Sequence, residues 1–117
     1  MDFDIIIRRG MIADGTGAAT YPNDVGIRGD TIAAIGDLSA ARASRSIDAL
    51  GLIVAPGFID PHNHANDETA GGALAIPKAD NSLRQGVTTL VTGNCGGSSW
   101  PVAEYLSHLE QVPIRQN

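Results

Sequence analysis

Two histidines stand one residue apart in the run Phe58-Ile59-Asp60-Pro61-His62-Asn63-His64. In extended backbone, side chains at i and i+2 point to the same side, with Cα atoms about 6–7 Å apart. Imidazoles at that spacing can converge on one ion, and imidazole suits zinc and its borderline neighbours. Two exposed loop histidines would look the same. A ligand role is favoured by the place of the pair at the end of an apolar stretch, since β/α folds set their ligand sites at the carboxyl ends of strands. A second apolar stretch leads to Cys95, in Gly93-Asn94-Cys95-Gly96-Gly97. A lone cysteine usually packs as a small apolar group. Here the glycines let backbone approach a ligand closely, and a thiolate is a soft third donor for zinc.

The neighbouring residues read differently. Asp60 is expected to support the histidines rather than to bind metal itself. Asp67 and Glu68 fall in a polar stretch where solvated charge is the default. Residues 93–99 look like a phosphate-cradling loop ahead of a helix, but they lack the Lys-Ser/Thr ending of a P-loop. Ser98 and Ser99 read as turn or capping residues, with no base assignable to activate them. His108 lies off the apolar stripe of its helix and reads as solvated. Trp100 either packs over the loop or lines a pocket.

The elements that must position these groups change character along the chain. Phe3, Ile5 and Ile7 alternate with period two, which predicts a strand. Gly10 is expected to end it, with residues 11–13 as a short returning strand. Residues 24–36 form a predicted hairpin turning at Gly29-Asp30. Residues 38–46 read as an irregular link, and 46–50 as a further short strand. Together these predict a small antiparallel sheet over residues 1 to about 50. From Leu52 the pattern becomes continuously apolar through Ile59, which suits a strand buried on both faces. A long polar loop is expected over 65–80, then the end of a helix stopped by Gly86. Residues 87–92 are nearly all β-branched and predict the strongest strand. A second helix follows Pro101, with Val102, Leu106 and Leu109 as its stripe and Pro113 as its end. The second part is therefore two β/α units, the building blocks of a parallel sheet or barrel.

Composition bounds the function class. The chain has 117 residues, a net charge of −5 and 43 % apolar residues. The acidic balance argues against nucleic acid as a partner. No apolar run approaches the roughly 20 residues of a membrane span. A single cysteine excludes an internal disulfide framework, and the N-terminus has no basic segment ahead of an apolar one. The expected location is cytoplasmic. Rings are only Phe3, Tyr21, Phe58, Trp100 and Tyr105, against 14 glycines, so bulky core filling is scarce.

Three motifs resemble known sequences. Val54-Ala55-Pro56-Gly57-Phe58-Ile59-Asp60-Pro61-His62-Asn63-His64 resembles the first-strand signature of the metal-dependent amidohydrolase superfamily. Ile27-Arg28-Gly29-Asp30-Thr31-Ile32-Ala33-Ala34-Ile35-Gly36 resembles part of the small β-sandwich that accompanies that barrel. Gly86-Val87-Thr88-Thr89-Leu90-Val91-Thr92-Gly93-Asn94-Cys95-Gly96 resembles the N-acyl-D-amino-acid deacylase (D-aminoacylase) family, in which a cysteine after the second strand is a zinc ligand. The resemblance implies His62 and His64 at one metal position and Cys95 at the other, more tightly held zinc. Asn63 stands where that family commonly has threonine; it is not a ligand and joins Asp60 and Asp67 as a candidate to support the ligands or line the substrate loop. Asp67 aligns with an acidic position just after the motif.

In that family two further histidines and a catalytic aspartate come from later barrel strands, and none can be placed here. A whole barrel takes ~250 residues. The expected fold class is therefore α/β: residues 1–51 as a partial N-terminal β-sandwich, and 52–117 as the first two β/α units of a TIM barrel. The implied activity is zinc-dependent hydrolysis of the amide bond of N-acyl-D-amino acids, a small-molecule substrate, with the chain inactive alone. One rival is another amidohydrolase branch, such as a dihydroorotase-like cyclic amidase. The other is a non-catalytic metal-binding or interaction module, whose open strand edges favour self-association.

Overall fold

The alternating residues that open the chain form one long strand, β1 (Phe3–Ile12), in a computed structural model that describes residues 2–65, 80–97 and 99–111. The chain divides into two compact units, Met1–Pro56 and Gly57–Asn117. In the first unit β1 is joined by β2 (Tyr21–Arg28), β3 (Thr31–Gly36), β4 (Ala43–Asp48) and β5 (Ile53–Val54). The order is β3-β2-β1-β4, with β5 also on β1. Gly29, at φ 60°, makes the expected turn of the β2–β3 hairpin.

Two expectations are corrected here. The sheet is mixed rather than antiparallel, because β4 and β5 both run parallel to β1. They lie end to end along it, β4 beside Phe3–Arg8 and β5 beside Met11 and Ile12. Gly10 does not end the strand either. The register slips between Ile7 and Gly10, and Arg9 takes up the extra residue at φ 62°. Such a bulge bends a strand without ending it. Gly10 is needed because β5 crosses close by: a Cβ there would lie 2.4 Å from Val54 Cγ2. The bulge is tied down by Asp24, whose Oδ1 accepts the Arg9 N–H at 2.8 Å, and by an Arg9–Asp48 ion pair. Ile6, Ile12, Val25 and Ala49 are the buried core of this unit.

The second unit carries β6 (Phe58–Asp60), a single helical turn α1 (Asp80–Leu83), β7 (Val87–Leu90), a 3₁₀ turn at Asn94–Gly96, and α2 (Val102–Leu109). β6 and β7 pair in parallel. The apolar run 52–60 is thus shared between two sheets, its first part on β1 and its second on β7. Burial on both faces does not follow, since a two-stranded sheet leaves Phe58 64 % and Ile59 65 % exposed. Gly86, at φ 84°, stops the turn after α1, its N–H donating to Leu83 O at 2.9 Å. The face of α2 is also corrected. Tyr105 and Leu109 are half-buried, whereas Val102 and Leu106 are exposed. Among the described residues, no helix is long and apolar enough to cross a membrane. Asp67, Glu68, most of the expected 65–80 loop, Ser98 and Pro113 lie outside the described residues.

Candidate metal centre

Parallel pairing puts the carboxyl ends of β6 and β7 side by side. Phe58 faces Val87 and Asp60 faces Leu90, and the ladder closes where Val91 N–H donates to Asp60 O at 2.9 Å. The strands come very close at their start. A Cβ on Gly57 would lie 2.1 Å from Thr88 Oγ1, so only glycine fits without displacing Thr88.

Beyond the strand ends the chain turns twice. Pro61 follows β6, and Asp60 Oδ1 accepts the His62 N–H at 3.1 Å. Asp60 thus shapes the backbone at His62. Next, Asn63 Oδ1 accepts the Ala65 N–H at 3.1 Å. The His62 and His64 rings lie 5.6 Å apart by centroid and 51° out of parallel. After β7, Gly93 at φ 88° turns the backbone into the 3₁₀ turn, where Cys95 sits at φ 56°. The left-handed region is costly for a residue with a Cβ. Its result is that Cys95 Sγ lies 3.5 Å from His62 Nε2.

One donor atom from each of His62, His64 and Cys95 thus falls within 4.8 Å of the others, all three residues being exposed. Among the described residues, no other His, Cys, Asp or Glu joins this cluster. Two imidazoles and a thiol form a nitrogen–sulfur donor set of the kind zinc takes. Zinc–nitrogen bonds of ~2.0–2.1 Å and zinc–sulfur bonds of ~2.3 Å put tetrahedral nitrogen and sulfur donors about 3.5 Å apart. The Cys95–His62 separation equals that edge. Donor chemistry and the Cys95–His62 spacing therefore fit the metal.

The amidohydrolase family profile matches residues 45–114, a span that contains both strand ends and all three donors. The chain belongs to the amidohydrolase family. Over 101 residues it is 48 % identical to a D-aminoacylase of Alcaligenes xylosoxydans xylosoxydans, covering 86 % of this chain and 20 % of that protein. An N-acyl-D-glutamate deacylase of the same organism is 50 % identical over 98 residues, 84 % of this chain and 19 % of the relative. The crystal structure of N-acyl-D-glutamate deacylase from Bordetella bronchiseptica, complexed with zinc and a phosphonate inhibitor, superposes with a TM-score of 0.74 at 45 % identity. That match covers 86 % of this chain and 20 % of the other. This amidohydrolase chain therefore spans about a fifth of the length of the curated relatives it matches.

Several residues of this amidohydrolase segment differ in how far their sequence betrays them. Trp100 is 86 % exposed, and His108 is exposed on α2 as expected. Tyr105 is held above its usual phenol pKa by burial, partly offset by a hydrogen bond with Thr92. Asn94 carries no metal-ligand signature. Its only signal is its place directly before Cys95, yet its Nδ2 donates to Val91 O at 2.9 Å and to Asn63 O at 3.4 Å.

Proposed function

We propose that this chain supplies part of the zinc centre of a hydrolase that cleaves the amide bond of N-acyl-D-amino acids. The observation that carries the reading is the meeting of His62, His64 and Cys95 at the shared end of β6 and β7. The D-aminoacylase and N-acyl-D-glutamate deacylase likenesses support the substrate class, and the zinc-bound Bordetella structure supports the metal. Two positions, one for the histidines and one for Cys95, are what the motif resemblance implies. In the chain by itself, the 3.5 Å Cys95–His62 separation favours a single shared ion.

Zinc in such a site supplies Lewis acidity, which polarises an acyl carbonyl and lowers the pKa of water. The chain's own contribution is to hold that charge at the strand ends. His62 and His64 present nitrogen donors, Cys95 presents sulfur, and Asp60 and Asn63 fix the backbone between them. No general base joins the cluster among the described residues. The motif resemblance puts the catalytic aspartate on a later barrel strand, and a lost general base costs about 10²–10⁴-fold in rate, so the 117-residue chain alone is expected to be inactive or nearly so.

The division of the chain belongs to the same proposal. The sheet of β1–β5 corresponds to a partial β-sandwich, and the units built on β6 and β7 to the first two β/α units of a TIM barrel. The boundary, expected after Gly51, is better drawn at Pro56–Gly57, because β5 pairs with β1. A cytoplasmic location is in keeping with one cysteine and no disulfide. Exposed Phe58 and Ile59 support self-association of the isolated chain, which size-exclusion chromatography over a concentration series would detect.

A chimera tests the function. This chain replaces the matching segment of the Alcaligenes D-aminoacylase, and hydrolysis of N-acetyl-D- and L-amino acids is measured. The expected result is D-selective hydrolysis that Cys95→Ser abolishes. A folded, zinc-loaded chimera inert towards both series would overturn the reading.

A further inference from the structure

The ladder between β6 and β7 ends at Val91, yet the three donors lie beyond it. What holds the two departing loops together is a pair of carboxamides sharing one backbone oxygen. Asn63 Nδ2 donates to Val91 O at 2.9 Å and to Asp60 O at 3.4 Å. Asn94 Nδ2 donates to the same Val91 O at 2.9 Å and to Asn63 O at 3.4 Å. A carbonyl has two lone pairs and can accept both. A primary amide has two hydrogens, so each asparagine can serve two backbone carbonyls at once, here the shared Val91 O at 2.9 Å and a second at 3.4 Å.

We propose that Asn63 and Asn94 act as one clamp on the Val91 carbonyl, positioning residues that set Cys95 against His62. The proposal rests on the zinc reading above. Asn63 lies between His62 and His64, and Asn94 is bonded directly to Cys95, so the clamp acts on all three donors with at most one intervening peptide. A threonine at position 63 would offer one hydroxyl hydrogen and a shorter reach, and could serve only one of the two carbonyls that Asn63 joins.

The test uses the 117-residue chain with cobalt(II) in place of zinc. Thiolate coordination gives a near-ultraviolet charge-transfer band, so total cobalt bound and band intensity per cobalt are read separately. Asn63→Asp keeps the size of the side chain and the Oδ1 acceptor for the Ala65 N–H but removes both hydrogens. Its added negative charge favours a cation, so weaker binding cannot be a charge effect. Cobalt affinity is expected to fall about 10–100-fold, the usual cost of removing a group that orients a metal ligand. The band per bound cobalt is expected to fall with it, and Asn63→Asp/Asn94→Ala to be no worse than the poorer single variant. Far-ultraviolet circular dichroism checks folding, and Asn94→Ala carries the test if Asn63→Asp unfolds. Folded variants with unchanged affinity and unchanged band per cobalt would overturn the clamp while leaving the zinc reading intact. Absence of the band in the unsubstituted chain would instead overturn the zinc reading, and the clamp with it.

Discussion

Among the described residues of the second unit, Cys95 is the one residue with a Cβ at positive φ. It sits at φ 56° after Gly93 and before Gly96, both also at positive φ. For a residue with a Cβ that conformation costs about 1–2 kcal/mol, and glycine escapes the cost. Cys95→Gly should therefore stabilise the metal-free chain by about 1 kcal/mol while removing its sulfur donor. Urea unfolding without and with zinc checks this, the gain appearing only without zinc. A variant less stable than the unsubstituted chain under both conditions would contradict it. The three candidate donors that the structure brings together are legible in the sequence, since His-x-His and a glycine-flanked cysteine are defined by type and spacing. Asn63 is legible only as a supporting or substrate-loop candidate and Asn94 not at all, because their shared partner is a backbone oxygen that only the pairing of β6 with β7 brings near.

The elements show where periodicity sufficed and where it did not. The β2–β3 hairpin and the β7 strand follow from turn chemistry and β-branching alone. The bulge at Arg9 was hidden, because Gly10 reads as a strand end unless β5 is known to cross beside it. The mixed sheet was hidden for a related reason, as parallel partners lie far apart in sequence. The packed side of α2 departs from its apolar stripe, since Tyr105, rather than Val102 or Leu106, is half-buried beside Leu109. Close approach also makes a prediction. Gly57→Ala drives a Cβ into Thr88 and should destabilise the chain by about 1–3 kcal/mol, as overpacking does. Because the Thr88 Cβ itself would lie 2.7 Å away, only Thr88→Gly clears the space: it should cost less in the Gly57→Ala background than alone in thermal unfolding, and independent, additive effects would contradict this. At the bulge, the Asp48 carboxylate is held below its ordinary pKa by the Leu50 N–H and by Arg9. A lowered folded pKa stabilises fully above the ordinary carboxylate value and is lost as pH falls through the lowered one. Asp48→Asn should thus be less stable than the unsubstituted chain at neutral pH, the gap closing in acid. A gap that persists below both values would contradict this assignment.

At the scale of the molecule, a scarcity of aromatic residues accompanies a small core. Ile6, Ile12, Val25 and Ala49 are the buried apolar residues of the described part, all in the first unit, while Phe58, Ile59 and Trp100 are largely exposed. On the proposed reading, the described part of the second unit places its candidate donors with two short strands, their turns and the asparagine pair rather than with a packed core. Segments that gain stability from a bound ion do so in proportion to the logarithm of its excess over the dissociation constant. A centre held this way is expected to become ordered as it binds. Zinc should therefore matter to the shape of this chain as well as to its chemistry. The most direct measurement is X-ray absorption at the zinc edge of the purified, zinc-loaded chain. The account predicts one sulfur at ~2.3 Å and two imidazole nitrogens at ~2.0–2.1 Å, with the sulfur lost in Cys95→Ser. A zinc shell of nitrogen and oxygen alone in the unsubstituted chain would contradict it.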